Sequence, residues 1–239
     1  MPSMIEHEFI IQEEIQSALA NRQPIVALES TVITHGLPYP QNLELAHQME
    51  ICVRENGAIP ATIILMDGQV KVGASHEELI QLVQTSNLHK ISVRDIGPAI
   101  AMGWSGGTTV ASTSLIADLA GIRVFATGGI GGVHREPPYD ISADLLQLGH
   151  TPIIVVCAGA KAILDIPATL EVLETNSVPV VGYQTDDFPA FYSTSSGIPV
   201  PLRVDRPEEI ALIAKSHWKL GLKSALLVVV PPPIESALD

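Results

Sequence analysis

The chain has 239 residues, 46% of them hydrophobic and only 16% charged, enough apolar material for a sizeable buried core and little that resembles a disordered tail. A formal net charge of −13, with no basic run to offset it, argues against a nucleic-acid or anionic-membrane surface. A small anionic ligand stays compatible with this balance, because local cations, a metal or backbone N–H groups can hold one inside an acidic protein.

Ile5 to Ala20 has helical apolar spacing and acidic residues near its start, with neither the cationic region nor the long apolar run of a signal peptide. No later run approaches the roughly 18 apolar residues of a membrane span, so the default expectation is a cytoplasmic location. Ile25 to Leu28 reads as a short buried strand leading into Glu29, and a Pro/Gly loop follows in which Asn42 is expected to cap a helix from Leu43 to Asn56. Ala61 to Met66 and Gln69 to Val72 form a hairpin across Asp67-Gly68, His76 to Gln84 is helical, and His89 to Val93 is a strand with Arg94 at its end. A Gly-rich turn at 106–107 precedes a helix from Thr109 to Leu119. Arg123–Thr127, Ile153–Cys157 and Val178–Tyr183 are apolar strands, with a helix from Ala162 to Thr175 between the last two. A polar, Pro-containing loop from Gln184 to Asp205 suits a site cover, and Pro207–Leu220 (helix) and Ser224–Val230 (strand) end the pattern. Strands alternating with helices, without a fixed repeat or splitting linker, predict one α/β domain over 1–239 with a largely parallel sheet. Ligands of such sheets bind beyond the C-terminal strand ends, where Glu29, Arg94, Thr127 and Lys161 fall.

GGIGG at 128–132 is not the dinucleotide fingerprint, because the third glycine of G-x-G-x-x-G would fall at His134. Its glycines permit close backbone approach to a ligand, or serve only as a packed turn. GGTTVAST at 106–113 offers N–H groups at a helix start and several hydroxyls, the makings of an oxyanion seat. Lys161 ends a buried strand and is expected at the start of the helix from Ala162, two conditions that disfavour a protonated amine and suit a nucleophile. A solvated lysine snorkelling from the strand end is the competing reading. Asp140 and Asp144, four apart, would share a face of a helical turn, one holding a hard divalent cation mostly through water while the other positions or deprotonates a reactant, or else Ser142 or Asp140 simply caps Ala143–Leu148. Glu29, after a buried strand, can hold and donate a proton; His134 beside Arg135 is an acid/base partner or a loop residue. Cys52 and Cys157 make no disulfide framework or zinc spacing, and Cys157 in its apolar strand reads as a buried filler.

The segments VALESTVITHGLPYPQN, GAIPATI, KISVRDIG, SGGTTVAST, FATGGIGGVHR, DISADL, VVCAGAKAILDIPATLEVLET and VVGYQTDDFPAFY together resemble the pseudouridine-5′-phosphate glycosidase, or indigoidine synthase A-like, family from about Ile25 to Pro233. The resemblance implies a homotrimer of three-layer α/β/α domains that uses Mn²⁺ or another divalent metal. It also implies reversible cleavage of the C–C glycosidic bond of pseudouridine 5′-phosphate to uracil and ribose 5-phosphate. By the same resemblance Lys161 is the Schiff-base nucleophile, Glu29 the proton donor and Asp140 the metal ligand. Lys90, Val110, Ser142, Ala143 and Asp144 match substrate-binding positions, and His134 lies near the nucleobase.

The chemistry gives a reason for this set. The leaving atom is a carbon, so the two carboxylates of an ordinary glycosidase would not suffice. A lysine that adds at C1′ while an acid protonates the ring oxygen sets a carbon–nitrogen electron sink beside the bond to be broken. Asp144 and His134 are the candidates to protonate uracil C5. REPPYD at 135–140 departs from the family pattern, which implies a differently shaped loop, and the chain is expected to lack the family's C-terminal segment with its asparagine-rich helix. A non-catalytic sugar-phosphate or nucleotide-binding relative, and a different Schiff-base lyase or aldolase acting on aldose phosphates, are the competing functional readings.

Overall fold

The structure, a computed structural model, describes residues 8–137 and 139–237. These residues fall into two compact units divided between Arg123 and Val124. The first contains β1 (Phe9–Ile11), α1 (Glu13–Ala20), β2 (Ile25–Leu28), one π-helical turn (Val32–Gly36), α2 (Gln41–Glu55), β3 (Ile59–Met66), β4 (Gln69–Val72), α3 (His76–Gln84), β5 (His89–Ile91), α4 (Val93–Met102), β6 (Gly106–Thr108) and α5 (Val110–Leu119).

β3 is the axis of the first unit. Its PATIILM run is buried throughout, as expected of a strand covered on both faces. It pairs in parallel with β2 and antiparallel with β4 and β6; β1 extends the sheet beside β4, and β5 beside β6. The β3–β4 turn is the expected Asp-Gly pair, with φ of 50° at Asp67 and 77° at Gly68, the signature of a tight hairpin turn. On one side of the sheet Ile64 and Met66 pack with Ile33, Ala46, Leu79 and Leu82, so the π-turn, α2 and α3 share one apolar cluster.

Four local expectations change. The helix read from Ile5 to Ala20 begins only at Glu13, because Phe9-Ile10-Ile11 is taken up as a strand along β4 (Ile5 itself lies outside the described residues). Asn42 is not a cap: Pro40 holds that position, and the buried Asn42 amide donates instead to the Ile33 carbonyl at 2.8 Å. The strand read over His89–Val93 ends at Ile91, because Asp95 accepts the Ser92 N–H at 3.0 Å and opens α4 there. Arg94 thus sits on a helix with a 90% exposed side chain, not at a strand tip. Gly106–Gly107 is a strand rather than an open turn.

The second unit contains β7 (Val124–Ala126), β8 (Val133–His134), α6 (Ala143–Leu148), β9 (Ile154–Cys157), β10 (Leu164–Asp165), α7 (Ile166–Thr175), β11 (Val180–Tyr183), β12 (Arg203–Val204), α8 (Pro207–Lys219), β13 (Leu226–Val229) and a closing 3₁₀ turn (Ile234–Ser236). Five of these strands, in the order β7-β9-β13-β11-β12, form a wholly parallel sheet, while β8 and β10 make a separate antiparallel ribbon. β13 is buried at all four residues, and α8 lays Ala214, with Ile210, Ile213 and Trp218, over Val181, Leu226 and Val228. Truncating the fully buried Leu226 to alanine costs about 2–5 kcal/mol.

α8 is tied to the sheet by a polar clasp. His217 Nε2 lies 2.7 Å from Ser224 Oγ, which donates in turn to the Ser177 carbonyl, so the ring nitrogen is the donor of the pair. Burial pushes the His217 pKa below its ordinary 6.5. A histidine whose folded-state pKa is depressed adds stability above its unfolded pKa and loses it as pH falls through the folded value. The thermal midpoint should therefore drop as pH is lowered from about 7.5 to about 5.5, and His217→Gln should flatten that slope. Equal slopes in the two proteins would remove His217 from the acid response.

Candidate active site

The candidate residues of the first unit gather around β6. Glu29 follows β2 and is half-buried, and Ser30 beside it is fully buried. Ser30 Oγ accepts the Thr108 N–H at 2.8 Å and donates to the Ile63 carbonyl at 2.5 Å. Thr108 Oγ1 donates to the same carbonyl at 2.8 Å, Thr113 Oγ1 donates to Thr108 Oγ1 at 2.8 Å, and Thr31 Oγ1 reaches the Thr108 carbonyl at 2.7 Å. This hydroxyl net ties the segment after Glu29 to the strand that precedes Val110. A Cβ on Gly107 would run into Thr34 Oγ1 and the Ser30 carbonyl, so glycine is required there for backbone contact within the protein. Lys90 stands opposite Gly107 on β5 and is exposed; Val110 opens α5 and is buried.

Several of the donors expected to form an oxyanion seat at 106–113 are used within the protein. Thr109 caps α5 through the Ser112 N–H, Ser112 Oγ donates to the Ile91 carbonyl at 2.6 Å, and the Thr108 and Thr109 N–H groups go to Ser30 and Ile91. These donors are spent on the fold.

The stretch from Thr127 to Lys161, in the second unit, behaves differently. After β7 the glycine turn runs on beside the segment that follows β9: Ala158 N–H reaches the Gly128 carbonyl at 3.0 Å, Ile130 N–H the Gly159 carbonyl at 3.0 Å, and Lys161 N–H the Ile130 carbonyl at 3.4 Å. Lys161 is thereby positioned by the glycine turn. The helix expected from Ala162 begins only at Ile166, with Asp165 accepting the Ala168 N–H at 3.0 Å. Lys161 is therefore exposed in an extended segment before a turn, and the helix-dipole argument for it does not apply.

The same backbone gathers the other predicted groups of this unit. His134 N–H donates to the Asp140 carbonyl at 2.8 Å, and Ser142 N–H to the Gly132 carbonyl at 3.0 Å. Asp144 and Asp140 do not share a helical face: α6 starts at Ala143 with Ser142 as its cap, leaving Asp140 exposed before it. Asp144 turns inward, 7% exposed, and its Oδ2 accepts the Gly131 N–H at 2.8 Å. His134 is half-buried on β8 opposite Leu164, and Ala143 is exposed. Cys157 is inert filler as expected, with burial pushing its thiol up to about 12.

Two residues that the sequence did not single out hold this region. Thr169 of α7 is fully buried; its hydroxyl accepts the Val133 N–H at 3.0 Å and donates to the Asp165 carbonyl at 2.7 Å. A Cβ on Gly132 would strike that hydroxyl. Phe191, from the loop expected to cover a site, lies against Gly128 and Gly129. The lone hydroxyl of Thr169 carried no sequence signal, whereas Phe191 stood inside the FPAFY segment that marks the family. The same loop, with the segment after β13, lines a cleft of about 370 Å³ that includes Gln184, Asp186, Arg203 and Pro231.

No three His, Cys, Asp or Glu side chains cluster as a metal cage among the described residues. A single exposed carboxylate such as Asp140 fits a hard divalent cation that keeps most of its water, and does not fit a cation that needs an all-protein shell.

Comparison with known proteins bears on the family and the fold. The family described as "Indigoidine synthase A like protein" matches residues 14–239. The pseudouridine-5′-phosphate glycosidase of Herpetosiphon aurantiacus is 56% identical over 97% of this chain and 77% of its own length. That of Caldanaerobacter subterraneus subsp. tengcongensis is 53% identical over 96% and 75%. Among solved structures, an indigoidine synthase A-like protein of Thermotoga maritima superposes with a TM-score of 0.89 at 35% identity, covering 97% of this chain and 76% of that one. The prealnumycin C-glycosynthase AlnA, solved in complex with ribulose 5-phosphate, superposes with a TM-score of 0.91 at 43% identity, covering 100% and 77%. Likeness at this level carries the three-layer α/β/α class with a largely parallel central sheet.

The Thr169 clasp makes a direct prediction. Thr169→Val removes the hydroxyl at constant shape and orphans the part-buried Val133 N–H, which should cost about 1–3 kcal/mol in urea unfolding, while Thr169→Ser should retain most of the stability.

Proposed function

Because this chain belongs to the indigoidine synthase A-like family, we propose that it is a pseudouridine-5′-phosphate glycosidase, cleaving the C1′–C5 bond reversibly to uracil and ribose 5-phosphate. The observation that supports the reading is the ladder joining the glycine turn to Lys161, which ties the Lys161 backbone past the end of β9 into one hydrogen-bonded framework with His134, Asp140 and Asp144. The ribulose 5-phosphate complex of AlnA favours a phosphorylated sugar as the species handled there.

The roles follow from the bond to be broken. The Lys161 amine bonds to C1′ as the ring C1′–O4′ bond breaks, and Glu29 delivers the proton that O4′ takes up. The sugar is then open-chain and carries the lysine nitrogen on C1′. Once that nitrogen has lost a proton and C5 has gained one, the nitrogen lone pair forms C1′=N while the C1′–C5 electron pair restores the C5–C6 double bond of uracil. Water adds to the imine, releases ribose 5-phosphate and regenerates the amine. Asp144 has an oxygen committed to Gly131, so His134 is the better carrier of the C5 proton. Lys90 supplies a cation for the phosphate, and Val110, Ser142 and Ala143 complete the substrate contacts. Asp140 would hold a divalent cation, Mn²⁺ by preference, through water; when bound it supplies positive charge that orders the uracil oxygens. A homotrimer is the proposed assembly, which sedimentation in solution tests directly.

Borohydride added to the protein with ribose 5-phosphate should leave one covalent adduct per chain by mass. Lys161→Ala should abolish both the adduct and uracil release, at least 10³-fold for the latter. An adduct that persists in Lys161→Ala would remove the nucleophile assignment.

A further inference from the structure

The loop after β11 sends two phenylalanines toward the glycine turn, and they behave differently. Phe188 is fully buried and packs beside Gly159. Phe191 is half-buried and its backbone has φ of 62°, the left-handed region that an aromatic side chain rarely occupies. Around it the chain makes a tight reversal: Ala190 N–H donates to the Ser193 carbonyl at 3.0 Å, and Phe191 N–H to the Ala158 carbonyl at 2.9 Å. Phe191 is thus pinned to the strand extension that carries Lys161 three residues later.

The glycines explain themselves around this reversal. A Cβ on Gly129 would overlap Phe191 Cδ2 and Cε2, and one on Gly128 would lie 3.3 Å from Cε2. At Gly159, φ is 85° and a Cβ would meet the Pro189 carbonyl. Three glycines are therefore small because the chain from Phe188 to Phe191 comes close, and one edge of the Phe191 ring rests on two of them. Tyr192 meets the ring edge-on at 4.4 Å. A half-exposed aromatic ring held by a strained backbone, beyond the C-terminal ends of two parallel strands, is costly unless it contacts a ligand. Phe188 already serves the core.

From these contacts we infer that Phe191 is the aromatic wall against which the planar nucleobase packs, and so a determinant of which base the enzyme accepts. The inference rests on the glycosidase reading above. A flat π-face grips any flat heterocycle and gives nothing to a sugar phosphate alone, so the residue belongs to the uracil half of the reaction.

The test separates those halves. In the synthetic direction, with ribose 5-phosphate saturating, Phe191→Leu should raise the KM for uracil roughly tenfold, the scale of one lost base–aromatic contact. Phe191→Tyr should stay within about threefold, because the ring plane is kept. Borohydride trapping with ribose 5-phosphate alone should give the same adduct yield in all three proteins. Leucine keeps apolar bulk at the same left-handed φ; if that variant does not fold, Phe191→Met reads the same quantity. An unchanged uracil KM overturns the inference, as does loss of the adduct together with turnover, which would make the ring a prop for Lys161. A wild-type protein that neither traps ribose 5-phosphate nor makes or releases a C-nucleotide overturns the glycosidase reading itself, and the role of Phe191 with it.

Discussion

Close backbone approach is the constraint on which the second unit depends. The glycine turn at 128–132 and the segment 158–161 lie hydrogen-bonded side by side, and the chain at 188–191 closes on both. No side chain fits at Gly129, Gly131, Gly132 or Gly159 without displacing Phe191, Ser142, Thr169 or the Pro189 carbonyl. Each of those neighbours is itself tied down by a hydrogen bond, a ring contact or the backbone. The position of Lys161 is thus set by main-chain contacts more than by anything its own side chain touches.

The first unit meets a similar demand with hydroxyls. Ser30, Thr31, Thr108 and Thr113 satisfy one another and the Ile63 carbonyl, so that β6 and the segment after Glu29 are locked without charge. Buried polar groups are tolerated when every member is partnered, and this net meets that condition through short, stiff side chains. A rigid mount suits the proton-donor role proposed for Glu29, since a donor's geometry must survive a change in its own charge.

Much of this was legible in the chain itself. The apolar runs of β3, β9 and β13, the Asp-Gly hairpin and the alternation of strands with helices all follow from periodicity and turn chemistry. Lys161 and Asp140 were legible as residue types at strand and loop positions. Failures came where a local pattern had two solutions. Phe9-Ile10-Ile11 suits a helix face or an edge strand, and only pairing with β4 decides it. GGTT reads as a turn until β3 and β5 take its glycines into a strand. Thr169 was invisible because one buried hydroxyl has no signature outside its contacts.

The strand that leads to Lys161 ends in a cysteine. Cys157 is 3% exposed, with its thiol pushed up to about 12. An opened sugar has an aldehyde carbon, and a nearby thiolate would capture it as a hemithioacetal. Packing the sulfur into the sheet keeps that side reaction closed, which leaves the Lys161 nitrogen as the nucleophile in the chemistry proposed above.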